Sequence, residues 1–151
     1  MPLWRSVIYD WYSIQHHPEI GTIVICDFHG YVQPEMVKRR PAVVVSPRFR
    51  NRGGLCTIVP LSTTPPLPIM PYHYKLHLED PLPAPYNASY HWVKADMLAT
   101  VSFERLYLPH SGKVKTGKRQ YVIRVIDEID LRNIRACMLH AVGLSHLTGH
   151  L

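Results

Sequence analysis

No aspartate or glutamate occurs between Glu35 and Glu79, a gap that holds Lys38, Arg39, Arg40, Arg48, Arg50 and Arg52. The formal charge of +6 is therefore concentrated on a local electropositive face. A polyanion such as RNA is the natural partner of such a face, and an acidic protein also fits it. Cysteine is scarce as well. Cys26, Cys56 and Cys137 stand singly within apolar runs, and an odd count disfavours a disulfide framework, so they read as reduced core residues of a cytosolic protein. No close cysteine pair and no histidine pair with finger spacing is present, so neither a metal nor another cofactor is expected. No apolar run approaches the roughly 20 residues that span a bilayer, and the N-terminus has no secretory pattern. No membrane association and a cytoplasmic location are the expectation. Internal repeats and low-complexity tracts are also missing, which excludes a solenoid.

What is present fits one globular domain. The 151 residues suffice for one core, and the hydrophobic share of 46% against 19% charged is that of a folded protein. Fourteen prolines argue for many turns and against a helical bundle.

Strand signals dominate the first hundred residues. Residues 22–28 form a β-branched run ending at His29-Gly30. Pro41 is tolerable at the first residue of a strand, so the apolar run 42–45 begins there and Arg40 ends the preceding loop. Residues 48–54 form a polar loop, and 55–61 a third run stopped by Ser62-Thr63-Thr64 and a proline cluster. Residues 72–78 alternate, with Tyr72, Tyr74, Leu76 and Leu78 on one face and His73, Lys75 and His77 on the other. Short strands follow at 90–93 and 99–103 around a turn at Ala95-Asp96, with Trp92 expected in the core, and a last strand at 121–126. The period then changes: Leu131, Ile134, Met138 and Val142 recur at helical spacing, with Asp127 or Asp130 as N-cap and Gly143 as the stop. The fold expected is mainly β (α+β), a small barrel of about six strands with one C-terminal amphipathic helix. Two segments are expected, an aromatic extension over 1–20 with Trp4 and Trp11, and a single domain over 21–151.

The segment 34–47 is the richest in chemistry. It sets Glu35 and the run Lys38-Arg39-Arg40 directly before a buried strand. An arginine on rigid backbone at a strand start offers a planar donor fork that matches phosphate oxygens and stays charged at physiological pH. A solvated basic loop beside a core strand has the same appearance. The second basic cluster, Lys113, Lys115, Lys118 and Arg119, adds to the polyanion-attracting surface. Tyr31, Phe49 and Tyr72 flank the basic window and could stack bases, as single-stranded RNA requires, or fill the core. Two of the ten histidines could cleave RNA as acid and base, with His73, His77 and His91 the nearest set. Read simply as sheet residues, they face solvent. His16-His17 falls in a loop.

In this order and spacing the motifs Gly21-Thr22-Ile23-Val24, Glu35 with Arg40-Pro41-Ala42-Val43-Val44-Val45-Ser46-Pro47, and Val59-Pro60-Leu61-Ser62-Thr63 resemble the MazF/PemK family of toxins. Weaker likeness continues through Val93-Lys94-Ala95-Asp96 to the terminal helix. The resemblance implies an SH3-like barrel acting as a metal-independent endoribonuclease of a toxin–antitoxin pair. It implies a homodimer that cuts single-stranded RNA and is blocked by an antitoxin. It makes Arg40, before the strand proline, catalytic, with Ser62 where the family usually has threonine, and Glu35 supporting the site. Thr63 is the hydroxyl neighbour able to substitute, and Lys38, Arg39, Arg48, Arg50, Arg52 and Tyr31 are the expected RNA contacts. Two other functions fit a barrel of this kind: a CcdB-like poison of DNA gyrase acting through the terminal helix, and an RNA-binding module that does not cleave. The aromatic extension, the proline-rich 64–71 loop and the basic 109–120 insertion depart from the family pattern.

Overall fold

The computed structural model describes residues 13–113 and 119–151. Trp4, Trp11, Lys115 and Lys118 lie outside them. The strands are β1 (Ile23–Cys26), β2 (Arg40–Val44), β3 (Leu55–Ser62), β4 (His73–His77), β5 (Tyr90–Lys94), β6 (Ala99–Ser102), β7 (Leu106–Tyr107), β8 (His110–Lys113) and β9 (Arg119–Tyr121), followed by helix α1 (Glu128–Ala141). Antiparallel pairing orders the main sheet β4-β5-β3-β2-β1-β7, with β6 also pairing to β3, while β8 and β9 form a separate hairpin. The pairing path is open, so the expected small barrel is a curled sheet with β4 and β7 at its ends.

β1, β2 and most of β3 are buried on both faces, which is why they read as unbroken apolar runs. One face packs Ile23, Val43, Val59, Leu61, Leu76 and Val93 against Ile134 and Cys137 of α1. The other packs Val24, Cys26, Phe28, Ala42, Val44, Ile58 and Leu106. β3 changes partner along its length, pairing β6 over Leu55 to Ile58 and β5 over Leu61 and Ser62. Pro60 falls at that changeover, where a residue without an N–H costs least.

The helix matches its pattern in most respects. Asp127 caps it by accepting from Asp130 N at 2.8 Å. Leu131, Ile134 and Cys137 are buried. At the C-terminus Leu144 N donates to Leu139 O and Gly143 N to His140 O, a closure that Gly143 permits at φ +77°. Val142, expected in the apolar stripe, is instead 57% exposed because the helix ends before it.

Three other expectations need correction. The run 121–126 is no strand beyond Tyr121: Ile123 is 74% exposed, and Val125 makes a single bridge to Thr22. Trp92 is half-buried, since its strand position turns it away from buried His91 and Val93. β2 begins at Arg40, one residue earlier than Pro41 implied, because Arg40 already pairs with Cys26.

Candidate nucleic-acid interface

The geometry starts from β2 and β3. Their antiparallel register pairs Ala42 with Pro60, Val43 with Val59 and Val44 with Ile58. Carried two residues further, the same register sets Arg40 opposite Ser62, on the face that also holds Ala42 and Val44. Opposed residues of an antiparallel pair have Cβ atoms about 4.5–5.5 Å apart, so one small anion can touch both side chains. The pairing continues laterally. Ser62 pairs with Trp92 of β5, Trp92 with Lys75 of β4, and Arg40 with Cys26 of β1.

Arg40 is half-buried, and its Nε is shielded from water without a hydrogen-bond partner. A buried N–H of a charged group left unpaired costs free energy that an incoming anion recovers. Ser62 is 5% exposed, and its Oγ accepts from Thr64 N at 3.2 Å. That contact uses a lone pair and leaves the O–H to donate. Thr63 is exposed beside it.

Arg39 plays a different part. It precedes β2, and its Nη2 lies 3.4 Å from Asp27 Oδ2 while its guanidinium stands 5.2 Å over the Tyr107 ring. Tyr86 lies within electrostatic reach of both arginines; burial raises its hydroxyl pKa, and Arg39 and Arg40 pull it back. Lys38 is exposed just before β2.

The loop from β1 to β2 carries Glu35. Its Oε2 accepts from Val32 N at 2.9 Å while its own N–H donates to Val32 O, closing a turn that leaves the carboxylate exposed. The base of this loop is pinned by Arg105, whose Nη1 donates to Asp27 O at 3.0 Å and to His29 O at 2.5 Å. The Arg105 guanidinium also covers Tyr31 at 5.0 Å, and Tyr31 meets Phe28 edge-on at 5.3 Å. Tyr31 is therefore held as a wall of the loop. A cleft of about 540 Å³ opens between Tyr31, Glu35 and Met36 on one side and Asp96 and Met97 on the other.

The remaining expected contacts are not gathered here. Arg48, Arg50 and Arg52 belong to the loop after β2, at the far end of the β2·β3 pair from Arg40 and Ser62. The four steps from Arg40 to Val44 alone span about 13 Å. Within that loop Arg52 covers Phe49 at 4.7 Å, and all three arginines are exposed. The histidines do not converge on a site either. His91 is 1% exposed, its ring enclosed beside the Ala88 and Tyr86 backbone. His73, expected toward solvent, is tucked against Tyr72 and lies 4.0 Å from Asp96, while His77 is exposed beside Tyr90. Among the described residues no group of three His, Cys, Asp or Glu side chains has metal-holding geometry. No helix among them is long and apolar enough to cross a membrane.

Sequence reading missed Arg105, Tyr90 and Trp92. The alternation Tyr90, His91, Trp92, Val93 was a usable signal for an aromatic outer face, but only the β3·β5 register puts that face next to Ser62.

A mostly antiparallel sheet backed by one helix is the fold class of this chain. It is similar to MazF from Deinococcus radiodurans, with a TM-score of 0.56 and 20% identity over 85% of this chain and 99% of that one. The MazE–MazF structure from the same organism also matches, with a TM-score of 0.51 and 20% identity over 87% of this chain and 100% of that one. Residues 19–130 match the PemK-like, MazF-like toxins of type II toxin-antitoxin systems, and the chain belongs to that family. An uncharacterized protein of Haemophilus influenzae is 27% identical over 145 residues, covering 88% of this chain and 95% of its own.

Proposed function

We propose that this toxin is an endoribonuclease that cuts single-stranded RNA without a metal ion. The observation carrying this reading is the half-buried Arg40, with an unpartnered Nε, in register opposite the hydroxyl of Ser62. In the reaction the ribose 2′-oxygen attacks the adjacent phosphorus and the P–O5′ bond breaks. A 2′,3′-cyclic phosphate forms, and the 5′-oxygen leaves as a hydroxyl after taking a proton. Negative charge grows on the phosphoryl oxygens during attack, and a fixed cationic donor stabilises that charge more than it stabilises the bound substrate. Arg40 fills this role, with Ser62 donating to a phosphoryl oxygen or to the departing 5′-oxygen. An arginine does not give up its proton, so the 2′-OH proton goes elsewhere, and Glu35 is the exposed carboxylate of the adjoining loop.

The family supports an antitoxin as partner, in keeping with the MazE–MazF complex among the similar structures. A homodimer accords with the exposed apolar residues Ile129, Val142 and Leu144 at α1 and its end. Lys38 and Thr63 flank the pair and are assigned to RNA backbone contact. Arg48, Arg50 and Arg52 are assigned to a distal part of the strand's path.

The test is incubation of purified protein with a long RNA in EDTA, followed by mapping of fragment ends. Discrete 5′-hydroxyl ends that disappear with Arg40→Ala support the assignment. Undiminished cutting by Arg40→Ala would remove it.

A further inference from the structure

Beyond Arg40 and Ser62 the pairing row runs on to an open surface. Trp92 stands directly opposite Ser62, and Lys75 directly opposite Trp92, so all four side chains project from one face. Tyr90 lies two residues from Trp92 on the same strand face, is 47% exposed, and pairs with His77. The groups are mutually ordered. Lys75 Nζ sits 4.3 Å from the Tyr90 ring centroid and 5.9 Å from that of Trp92, and the His77 ring lies 4.8 Å from Tyr90 at a tilt of 33°. Holding two cation-capable side chains against two aromatic rings fixes the rings before any ligand arrives, which lowers the ordering cost of binding.

The charge on this surface selects the ligand. β2, β3, β4 and β5 contain Arg40, Lys75 and Lys94 and no acidic residue. Past β4, Lys75 and His77 also line a cleft of about 510 Å³ with Glu79, Asp80, Asp127 and Asp130, and Asp96 follows β5. A polyanion crossing the face from Arg40 meets Ser62 of β3, then Trp92, Tyr90 and Lys94 of β5 and Lys75 of β4, and the acids past β4 mark the limit of its path. Neighbouring strands are about 4.8 Å apart, which puts the Trp92 backbone about 10 Å from that of Arg40, a distance that one or two nucleotides cover.

We propose that Trp92 and Tyr90, braced by Lys75 and His77, form a ledge on which about two bases of single-stranded RNA stack beside the phosphate held by Arg40 and Ser62. This ledge rests on the nuclease reading and specifies how the substrate is held. A duplex, whose bases are already stacked and paired, has no face to offer it.

The ledge is tested by binding in an uncleaving background. Arg40→Ala protein is titrated by fluorescence anisotropy with a labelled random-sequence RNA pool of about eight nucleotides, a length within the usual site sizes. Adding Tyr90→Ala, and separately Trp92→Leu, is expected to weaken binding by about ten-fold or more each. Circular dichroism melts identify any variant that fails to fold, and Tyr90→Ala, an exposed site, keeps the test valid if Trp92→Leu unfolds. In the Arg40-containing enzyme the same changes are expected to raise KM while kcat falls less, because the rings contact bases away from the reacting atoms. Unchanged affinity with folded Tyr90→Ala overturns the ledge, while loss of cleavage in Arg40→Ala would leave the nuclease standing. Full cleavage by Arg40→Ala overturns the nuclease instead. Equal binding of a duplex also overturns the ledge.

Discussion

Arg40 at the start of β2 and Ser62 at the end of β3 come opposite each other when the register that sets Ala42 against Pro60 is carried two residues past that last bonded pair. Their spacing is fixed by backbone hydrogen bonds deeper in the sheet, so neither side chain depends on a flexible loop for its position. A site of this kind is ordered before substrate arrives, which is the condition for electrostatic stabilisation of a transition state.

Substitutions at the pair separate charge from geometry. Arg40→Ala is expected to lower the cleavage rate by about 10²–10³ or more, the usual cost of one lost oxyanion-type donor. Arg40→Lys keeps the charge but loses the planar fork, and is expected to recover only part of that loss. Ser62→Ala slows cleavage, whereas Ser62→Thr keeps the hydroxyl on a stiffer side chain and is expected to cut at least as fast as the native residue. Single-turnover rates on one RNA decide all four, and a slow Ser62→Thr with fast Ser62→Ala would take the hydroxyl out of the chemistry.

His91 governs behaviour in acid. Burial lowers its pKa from 6.5, opposed in part by the Ala88 and Tyr86 backbone, and burial likewise lowers that of His73 against the pull of Asp96. The unfolded chain therefore takes up protons that the native state resists, so stability present above about pH 6.5 is lost as pH falls. His91→Leu exchanges a buried titratable ring for apolar surface, and its stability at pH 7.5 is expected to stay within about 1 kcal/mol of the native, since the backbone contacts at Ala88 and Tyr86 that it loses offset the gain in apolar burial. It should also flatten the acid limb. Urea melts at pH 7.5 and pH 5 measure both effects, and a His91→Leu destabilised by more than that would show that the ring makes contacts the leucine cannot replace.

The thiols set the alkaline limit. Burial raises Cys26 from 9.0 to about 12 and Cys56 and Cys137 from 9.0 to about 11. An acid whose pKa is higher when folded stabilises the native state fully below the unfolded value and loses that contribution as pH rises toward the folded one. Melting temperature is expected to fall progressively above about pH 9, and a thiol-specific reagent at pH 8 should label native protein far more slowly than urea-unfolded protein. Rapid labelling of the native protein would contradict the burial of these groups.

Tyr74 ties the edge strand to the helix: its hydroxyl donates to Asp130 Oδ1 at 2.6 Å, and Asp130 N is itself held by Asp127. Tyr74→Phe is expected to cost about 1.5–2 kcal/mol, more than a neutral hydrogen bond because the acceptor is a carboxylate. Asp127→Ala removes the helix cap and should cost about as much. Because the two bonds share Asp130, the double variant is expected to cost less than the sum, a departure that a double-mutant cycle reads directly.

How much of this was legible beforehand differs by residue. The β-branched runs at β1 and β2, the alternation Leu76 and Leu78, and the Asp127 cap with Gly143 behind it are local patterns, and each formed the element its period implied. The 121–126 run misled because apolar composition was read as a strand, while the chain there crosses beneath Thr22 by one bridge. Trp92 misled because an aromatic residue in a strand of a small barrel was assigned to the core, although strand parity turns it outward.

By itself, the order of residues determined the strand and helix segments and the basic window free of acids, and through the family resemblance it nominated Arg40 and Ser62 for the phosphate chemistry proposed here. Only the tertiary structure decided which charges share a face. Register put Arg40 in line with Ser62 and Trp92, the loop before β2 brought Arg39 to Asp27, and the loop after β2 carried Arg48, Arg50 and Arg52 to the other end of the β2·β3 pair. The physical reason is that a strand's period fixes sides only relative to its own neighbours, whereas alignment between strands is settled by the hydrogen-bonded pairing of distant segments.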